Sequence, residues 1–230
     1  MPMFDTLYHA MRDETAEAAV PRTIAGMLGD LAQGRGDIWA VRHPLGFICF
    51  PLERISTRGV CVHVWSEQLT SAEPTTSWTH AHSWDLTSFL LHGTLRNELI
   101  AVTDVHDGAT HRVFEVSTRP EGDEVRRTPR LVRRQSGTSE LHHTGEVYTL
   151  PAGVFHETVT YGEVATVALG CGRPGALDLT LGAIDTPTHW TTRRLCDRDE
   201  TAHAAAVVTE RLTNAPQPRH GEHQCQQSRR

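Results

Sequence analysis

The sequence predicts a mainly β protein, an antiparallel sandwich or barrel that carries helices at both ends. From residue 38 to about residue 184, short apolar runs follow one another, and their pattern has the period of two that β-strands show. Gly, Pro, Asp and Ser separate these runs, and no helical pattern intervenes. A chain of 230 residues, of which 38% are hydrophobic, is long enough to bury one good-sized core and favours a single domain.

The predicted elements divide the chain into four parts. They are a segment of N-terminal helices, a barrel, a C-terminal helix and a polar tail that we expect to be disordered: residues 1–37, 38–196, 197–213 and 214–230. In the first part, Pro21 interrupts the helical pattern and a second helix begins near Thr23. Within the barrel, the Arg-rich residues 117–140 form a long hairpin or a loop.

Composition excludes several classes of partner. Acidic residues outnumber basic ones by 28 to 22, and the net charge of −6 argues against binding to nucleic acid. No apolar run approaches the roughly 20 residues that a membrane-spanning helix needs, and the first residues lack the pattern of a signal peptide. The five cysteines include no CxxC pair, so we expect reduced thiols, packed in the core, in a cytoplasmic protein.

Two histidines mark the first segment that carries chemistry. His80 and His82 are separated by one residue, so on a strand their side chains project from the same face. Two imidazoles at this separation can chelate one metal ion. Asp85 follows in a predicted turn, from which its carboxylate could reach the same ion.

A second segment supplies a third imidazole. Pro151 and Gly153 predict a tight turn, and His156 follows near the start of the next strand. If that strand lies beside the one that carries the first two histidines, three neutral imidazoles meet. Such a set leaves coordination positions open for water or substrate, as in a catalytic metal site.

The two segments resemble the two motifs of the cupin superfamily. The second segment matches position for position, with the spacing Gly145-x5-Pro151-x-Gly153-x2-His156. The first segment has the sequence His80-x-His82, followed by Gly93. The resemblance covers roughly residues 38 to 184 and implies a cupin double-stranded β-helix, a jelly-roll barrel, with N-terminal and C-terminal helices outside it. It also implies that the three histidines bind a metal ion.

The first segment departs from the cupin pattern at the position of the usual Glu ligand. By the family's spacing that position falls on Leu86 or Thr87, and Asp85 lies one step earlier. Two alternatives follow for the metal: Asp85 is the fourth ligand, or the site has three His ligands, as in the thiol dioxygenases. Asp85 could also orient a ligand imidazole, or only cap a turn.

Further polar residues are candidates for the chemistry. With Asp85, the catalytic candidates are Arg96 and Tyr148. Arg96 would hold a substrate carboxylate if the face that it shares with Glu98 points inward, and the alternative is a solvated outer face. Tyr148 lies close to the second motif and is a candidate general acid. His63 either lines the cavity or is an ordinary core or surface histidine.

The predicted metal site admits three functions. Our first hypothesis is a mononuclear non-haem Fe(II) oxygenase that acts on a small molecule, because such a site binds substrate and dioxygen side by side. The second is a redox-neutral isomerase, lyase or hydrolase, in which Zn, Mn or Ni acts as a Lewis acid. The third is a cupin that binds a small molecule without catalysis. We expect a homodimer, because cupins are commonly dimers.

Overall fold

The computed structural model describes residues 1–13, 15–70, 72–119 and 122–214. Apart from Asn214, the tail predicted to be disordered lies outside these residues. The helices are α1 (Met3–Arg12), α2 (Ala16–Ala32) and α3 (Arg198–Asn214). None of the described helices is long and apolar enough to cross a membrane.

Most of the described residues outside the helices belong to strands. The strands are β1 (Val41–His43), β2 (Phe47–Ile55), β3 (Arg58–Trp65), β4 (His80–Ala81), β5 (Trp84–His92), β6 (Thr94–Asp104), β7 (His111–Arg119), β8 (Gly122–His143), β9 (Val147–Leu150), β10 (His156–Thr160), β11 (Val164–Gly172), β12 (Asp178–Gly182), β13 (His189–Thr191) and β14 (Arg194–Leu195).

These strands form two antiparallel seven-stranded sheets that enclose a cavity. The first, called here the covered sheet, has the order β14-β1-β2-β3-β11-β5-β9. The second, the exposed sheet, has the order β13-β8-β6-β10-β4-β12-β7, and β8 also pairs with β7. The fold class predicted from the sequence is confirmed: the chain is mainly β, with a two-sheet jelly roll between helices at both ends.

The outer face of the covered sheet is buried because the three helices pack against it. Val60, Val62 and Val64 are at most 1% exposed and belong to the same apolar core as Ile24 and Leu28 of α2. The alternate residues of β3 therefore point to the interior, between the sheets. The helices thus fix which face of this sheet lines the cavity.

Two local predictions need correction or refinement. Pro21 does not interrupt the helix: α2 begins at Ala16 and continues through it. Pro21 is the sixth residue of α2 and costs the helix one backbone hydrogen bond, and burial of Val20 and Ile24 holds the helix in place. The stretch at residues 117–140 is a hairpin rather than a loop, because β8 pairs first with β7 and then with β6.

Candidate metal centre

Three imidazoles converge on the interior side of the exposed sheet. His80 on β4 lies directly across from His156 on β10, and His82 follows β4. The ring centroid of His80 lies 4.3 Å from that of His156 and 4.8 Å from that of His82. One ring nitrogen from each residue lies within 4.8 Å of the other two. This group is the predicted set of histidines, and its geometry can hold a metal ion.

Hydrogen bonds to the backbone set the tautomers of two of these rings. Nδ1 of His80 lies 2.9 Å from the Trp78 carbonyl oxygen, and Nδ1 of His156 lies 3.1 Å from that of Val154. A carbonyl oxygen only accepts, so Nδ1 carries the proton and Nε2 keeps its lone pair. His82 is held by stacking on Trp84, with centroids 4.1 Å apart. The donor atoms therefore fit a metal ion.

Burial keeps the three imidazoles neutral. It lowers the pKa of His80 to about 3, and the nearby His156 contributes to that shift. Burial also lowers the pKa of His82 and that of His156. A histidine binds a metal through an unprotonated nitrogen, so this environment favours binding over protonation.

The turn between β9 and β10 joins the two segments of the site. The N–H of Gly153 donates to the His82 carbonyl oxygen at 2.8 Å, and the N–H of Ala152 donates to Oδ1 of Asp85 at 2.9 Å. Gly153 has a φ of +79°, a left-handed conformation that favours glycine. The turn that leads to His156 is therefore attached to His82 and to Asp85 near the start of β5.

Asp85 holds this turn and is not brought to the imidazoles. Besides the Ala152 bond, its Oδ2 accepts a hydrogen bond from Nε of Arg173 at 2.6 Å. The Arg173 guanidinium and then the Ala152 N–H lower the pKa of the Asp85 carboxyl. Among the described residues, the metal-ligating group at this site contains no carboxylate. Both oxygens of Asp85 have other partners, as expected of the turn-capping alternative.

A second carboxylate supports the site from the outer side. Glu157 follows His156, so its side chain projects from the opposite face of β10. There Nη2 of Arg134 donates to Glu157 at 2.7 Å, and the hydroxyl of Thr79 donates to the same oxygen. Sequence reasoning missed this group, because the pairing of β6 with both β8 and β10 brings Arg134 and Glu157 together. It ties β8, β10 and the residue before His80.

Tyr148 lines the cavity at the meeting point of the two sheets. It is 8% exposed, and its phenol lies beside the side chains of Ser88 and Asn97. Burial raises the pKa of this phenol, so it stays protonated at neutral pH and is a donor rather than a base. Oδ1 of Asn97 accepts from the Thr158 hydroxyl at 3.1 Å. This polar link connects β9 to the strand that carries His156.

Arg96 lies outside the cavity, contrary to the inward alternative. It forms an ion pair with Glu98, and its guanidinium stacks over Tyr161 at 5.8 Å. Successive residues of a strand point to opposite faces, and it is Asn97 that lines the interior. Arg96 therefore has the solvated outer position that was its alternative, and it is not placed to hold a substrate.

The cavity beside the three histidines has a volume of about 530 Å³. Five of the residues that line it have large aromatic side chains: Phe47, Trp65, Trp78, Trp84 and Tyr148. His63 lines it too, from β3 of the covered sheet. A space of this size suits a small organic molecule that binds by its apolar surface.

Comparison with known proteins gives a distant likeness. No family model and no curated protein matches the sequence. One similar solved structure, a cupin-superfamily protein from Desulfitobacterium hafniense, is 9% identical, with a TM-score of 0.32 over 55% of this chain and 78% of that chain. Hydroquinone 1,2-dioxygenase from Sphingomonas sp. TTNP3 is 10% identical, with a TM-score of 0.33 over 53% of this chain and 63% of that chain.

A third similar structure is hydroxypropylphosphonic acid epoxidase from S. wedmorenis. It is 12% identical, with a TM-score of 0.35 over 58% of this chain and 55% of that chain. The matched region thus spans less than two thirds of the dioxygenase and of the epoxidase. At these scores the likeness carries no argument about activity, which has to come from the residues of the site.

Proposed function

We propose that the protein is a metal-dependent cupin enzyme, a mononuclear non-haem Fe(II) oxygenase that acts on a small molecule. The observation that supports this most directly is the convergence of three neutral imidazoles on an aromatic cavity. We assign the ligands to His80, His82 and His156 and leave Asp85 out of the set, because both of its oxygens are engaged elsewhere.

Iron(II) held by three imidazoles supplies adjacent open positions for substrate and dioxygen. The chain's own contribution is to orient the ligands and to shape the space around them. The carbonyls of Trp78 and Val154 fix two ring orientations, and Trp84 fixes the third. The aromatic wall displaces water from the substrate's surroundings.

The cavity wall supports a substrate class as well. Aromatic rings favour a ligand with an apolar, planar body. The protonated Tyr148 phenol can donate one hydrogen bond to a polar group on that body. We therefore propose a small molecule with an apolar ring and a single polar substituent, bound between Tyr148 and the three histidines.

A redox-neutral reaction is the second candidate, and one specific observation favours it. The ligand group in the described part of the chain lacks a carboxylate, so a bound ion would keep its full positive charge. A Zn, Mn or Ni ion in such a set polarises a carbonyl or activates water, as a Lewis acid does. A cupin that binds a small molecule without catalysis is the third candidate.

Oxygen uptake by protein reconstituted anaerobically with Fe(II) tests the proposal. We expect uptake with members of a panel of small phenols, aromatic acids and thiols, and none with the His82→Gln variant. His143→Gln, on the exposed end of β8, is the matched control and should behave as the unchanged protein. The Lewis-acid enzyme would replace the oxygenase as our proposal if a panel compound is turned over without oxygen. In that case protein reconstituted with Zn should be active and protein reconstituted with Fe(II) should not.

A further inference from the structure

A second group of metal-ligating side chains lies on the covered sheet, across the cavity from the three histidines. In the antiparallel pair β2–β3, Cys49 is directly opposite His63, and Cys61 precedes His63 by two residues on the same face. One ligand atom of each lies within 4.8 Å of the other two. All three residues line the cavity.

We propose that Cys49, Cys61 and His63 form a second metal site, separate from the three-imidazole centre, and that it takes a Zn²⁺ ion. Two thiolates and one imidazole are a soft donor set, which Zn²⁺ prefers and Fe(II) oxygenase sites do not use. Three protein ligands leave the fourth tetrahedral position open toward the cavity. The site does not depend on the proposed oxygenase function, because none of its ligands belongs to that centre.

The environment of the two sulfurs supports cation binding beyond their geometry. A hydrogen bond from Cys49, with smaller contributions from His63 and Arg54, lowers the pKa of Cys61 to about 5. The same hydrogen bond and burial raise the pKa of Cys49. The two sulfurs therefore lie close to each other and to the His63 imidazole, as the ligands of one ion do.

The strand that carries two of the ligands is firmly held. Val62 and Val64, which flank His63, are buried in the core beneath the helices. On the cavity side the Phe47 ring packs 4.3 Å from the His63 ring, and Trp65 meets it edge-on at 6.0 Å. These two contacts hold the imidazole in one orientation.

A disulfide is the main rival for the two thiols, and the strand register disfavours it. Cys49 and Cys61 occupy diagonal positions of the β2–β3 pair. Diagonal neighbours typically have their Cα atoms about 7–8 Å apart, whereas a disulfide needs about 4.4–6.8 Å. A bridging metal ion spans the longer separation without moving the strands.

Titration of the metal-free, reduced protein with Co²⁺ tests the proposal, because a thiolate ligand gives cobalt a charge-transfer band in the near ultraviolet. All proteins carry Cys225→Ser, since Cys225 lies outside the described residues and is a further thiol. We expect two Co²⁺ per chain and the charge-transfer band. Cys61→Ser should weaken binding at this site by more than about 100-fold, beyond the effect of altering a ligand's hydrogen-bond partner. At the cobalt concentration that saturates the unchanged protein, this variant should therefore lack the band and one equivalent.

Controls separate this site from the three-imidazole centre. Cys171→Ser removes a half-buried thiol outside the group and should keep the band and both equivalents. His156→Ala should keep the band and lose the other equivalent. His63→Gln is a second test of the same site, and circular dichroism checks the fold of each variant. Absence of the band from the unchanged protein, its persistence in Cys61→Ser, or a disulfide found between Cys49 and Cys61 would each overturn the proposal.

Discussion

The two sheets differ in what their outer faces carry. On the covered sheet the valines of β3 point outward, into the core that the helices form. On the exposed sheet the outward positions carry charge, as in the ion pairs of Arg126 with Glu115 and of Arg130 with Asp104. The apolar residues of that sheet, such as Leu95, point inward.

This difference explains how a jelly roll can keep an open interior. A sheet without helices has to pack its apolar face against the other sheet. Here the helices provide the covered sheet with a core on its outer side, so aliphatic side chains fill only part of its inner face, at Leu86, Leu90 and Leu150. Cys61, His63 and Trp65 take the inner positions of β3. Much of the burial lies outside the barrel, and the chemistry lies within it.

The largest expected effect separates chemistry from stability on the exposed sheet. His156→Ala removes one of three ligands, so we expect protein reconstituted with Fe(II) to retain no stoichiometric metal after gel filtration. Because the substitution enlarges a cavity that is already present, it should shift the unfolding transition less than a substitution in the core under the helices. Metal analysis and thermal unfolding measure the two effects. A variant that keeps full metal content would remove His156 from the ligand set.

A substitution beneath the helices is expected to affect stability rather than chemistry. Leu28 is fully buried between α2 and the covered sheet, and Leu28→Ala should lower the free energy of unfolding by about 2–5 kcal/mol. Leu141→Ala is the same change on the exposed sheet, where the side chain is 51% exposed, and should cost less than about 0.5 kcal/mol. Denaturant unfolding compares them. Equal losses would contradict the division between the two sheets.

A smaller effect is expected at Asp85. Asp85→Asn keeps an oxygen for the Ala152 N–H and weakens the contact with Arg173, which is solvent-exposed. If Asp85 only holds the turn, the affinity of the three-histidine site should fall by less than the roughly 10-fold that follows loss of a ligand's hydrogen-bond partner. Competition with a chromophoric chelator measures that affinity. A drop of several hundred-fold would return Asp85 to the ligand set.

The sequence predicts what depends on local spacing and misses what depends on strand pairing. The separation of His80 and His82, and the turn before His156, are local, and the structure brings the three imidazoles together. The position of Asp85 depends on whether the backbone after His82 shifts by one residue. The homodimer, the cytoplasmic location and the small-molecule substrate stay predictions.

Non-local contacts account for the other differences. Glu157 is an ordinary exposed-face residue until β8 brings Arg134 beside it. Cys49 and His63 are fourteen positions apart and become neighbours only through the β2–β3 register. Alternation along β3 divides its residues into two faces, but it does not say which face points inward. The helices decide that, because they cover the valines.

The smallest expected effect concerns two adjacent residues of β6 that face opposite ways. Arg96 lies on the outer face with Glu98, and a surface ion pair contributes less than about 1 kcal/mol. Arg96→Met should therefore leave metal content and oxygen uptake unchanged. Asn97→Leu removes the acceptor of the partly buried Thr158 hydroxyl and the amide beside the buried Tyr148 hydroxyl. An unsatisfied buried group costs about 1–3 kcal/mol, so this variant should be the less stable of the two. Loss of uptake in Arg96→Met, with carboxylate compounds alone, would place Arg96 at the substrate after all.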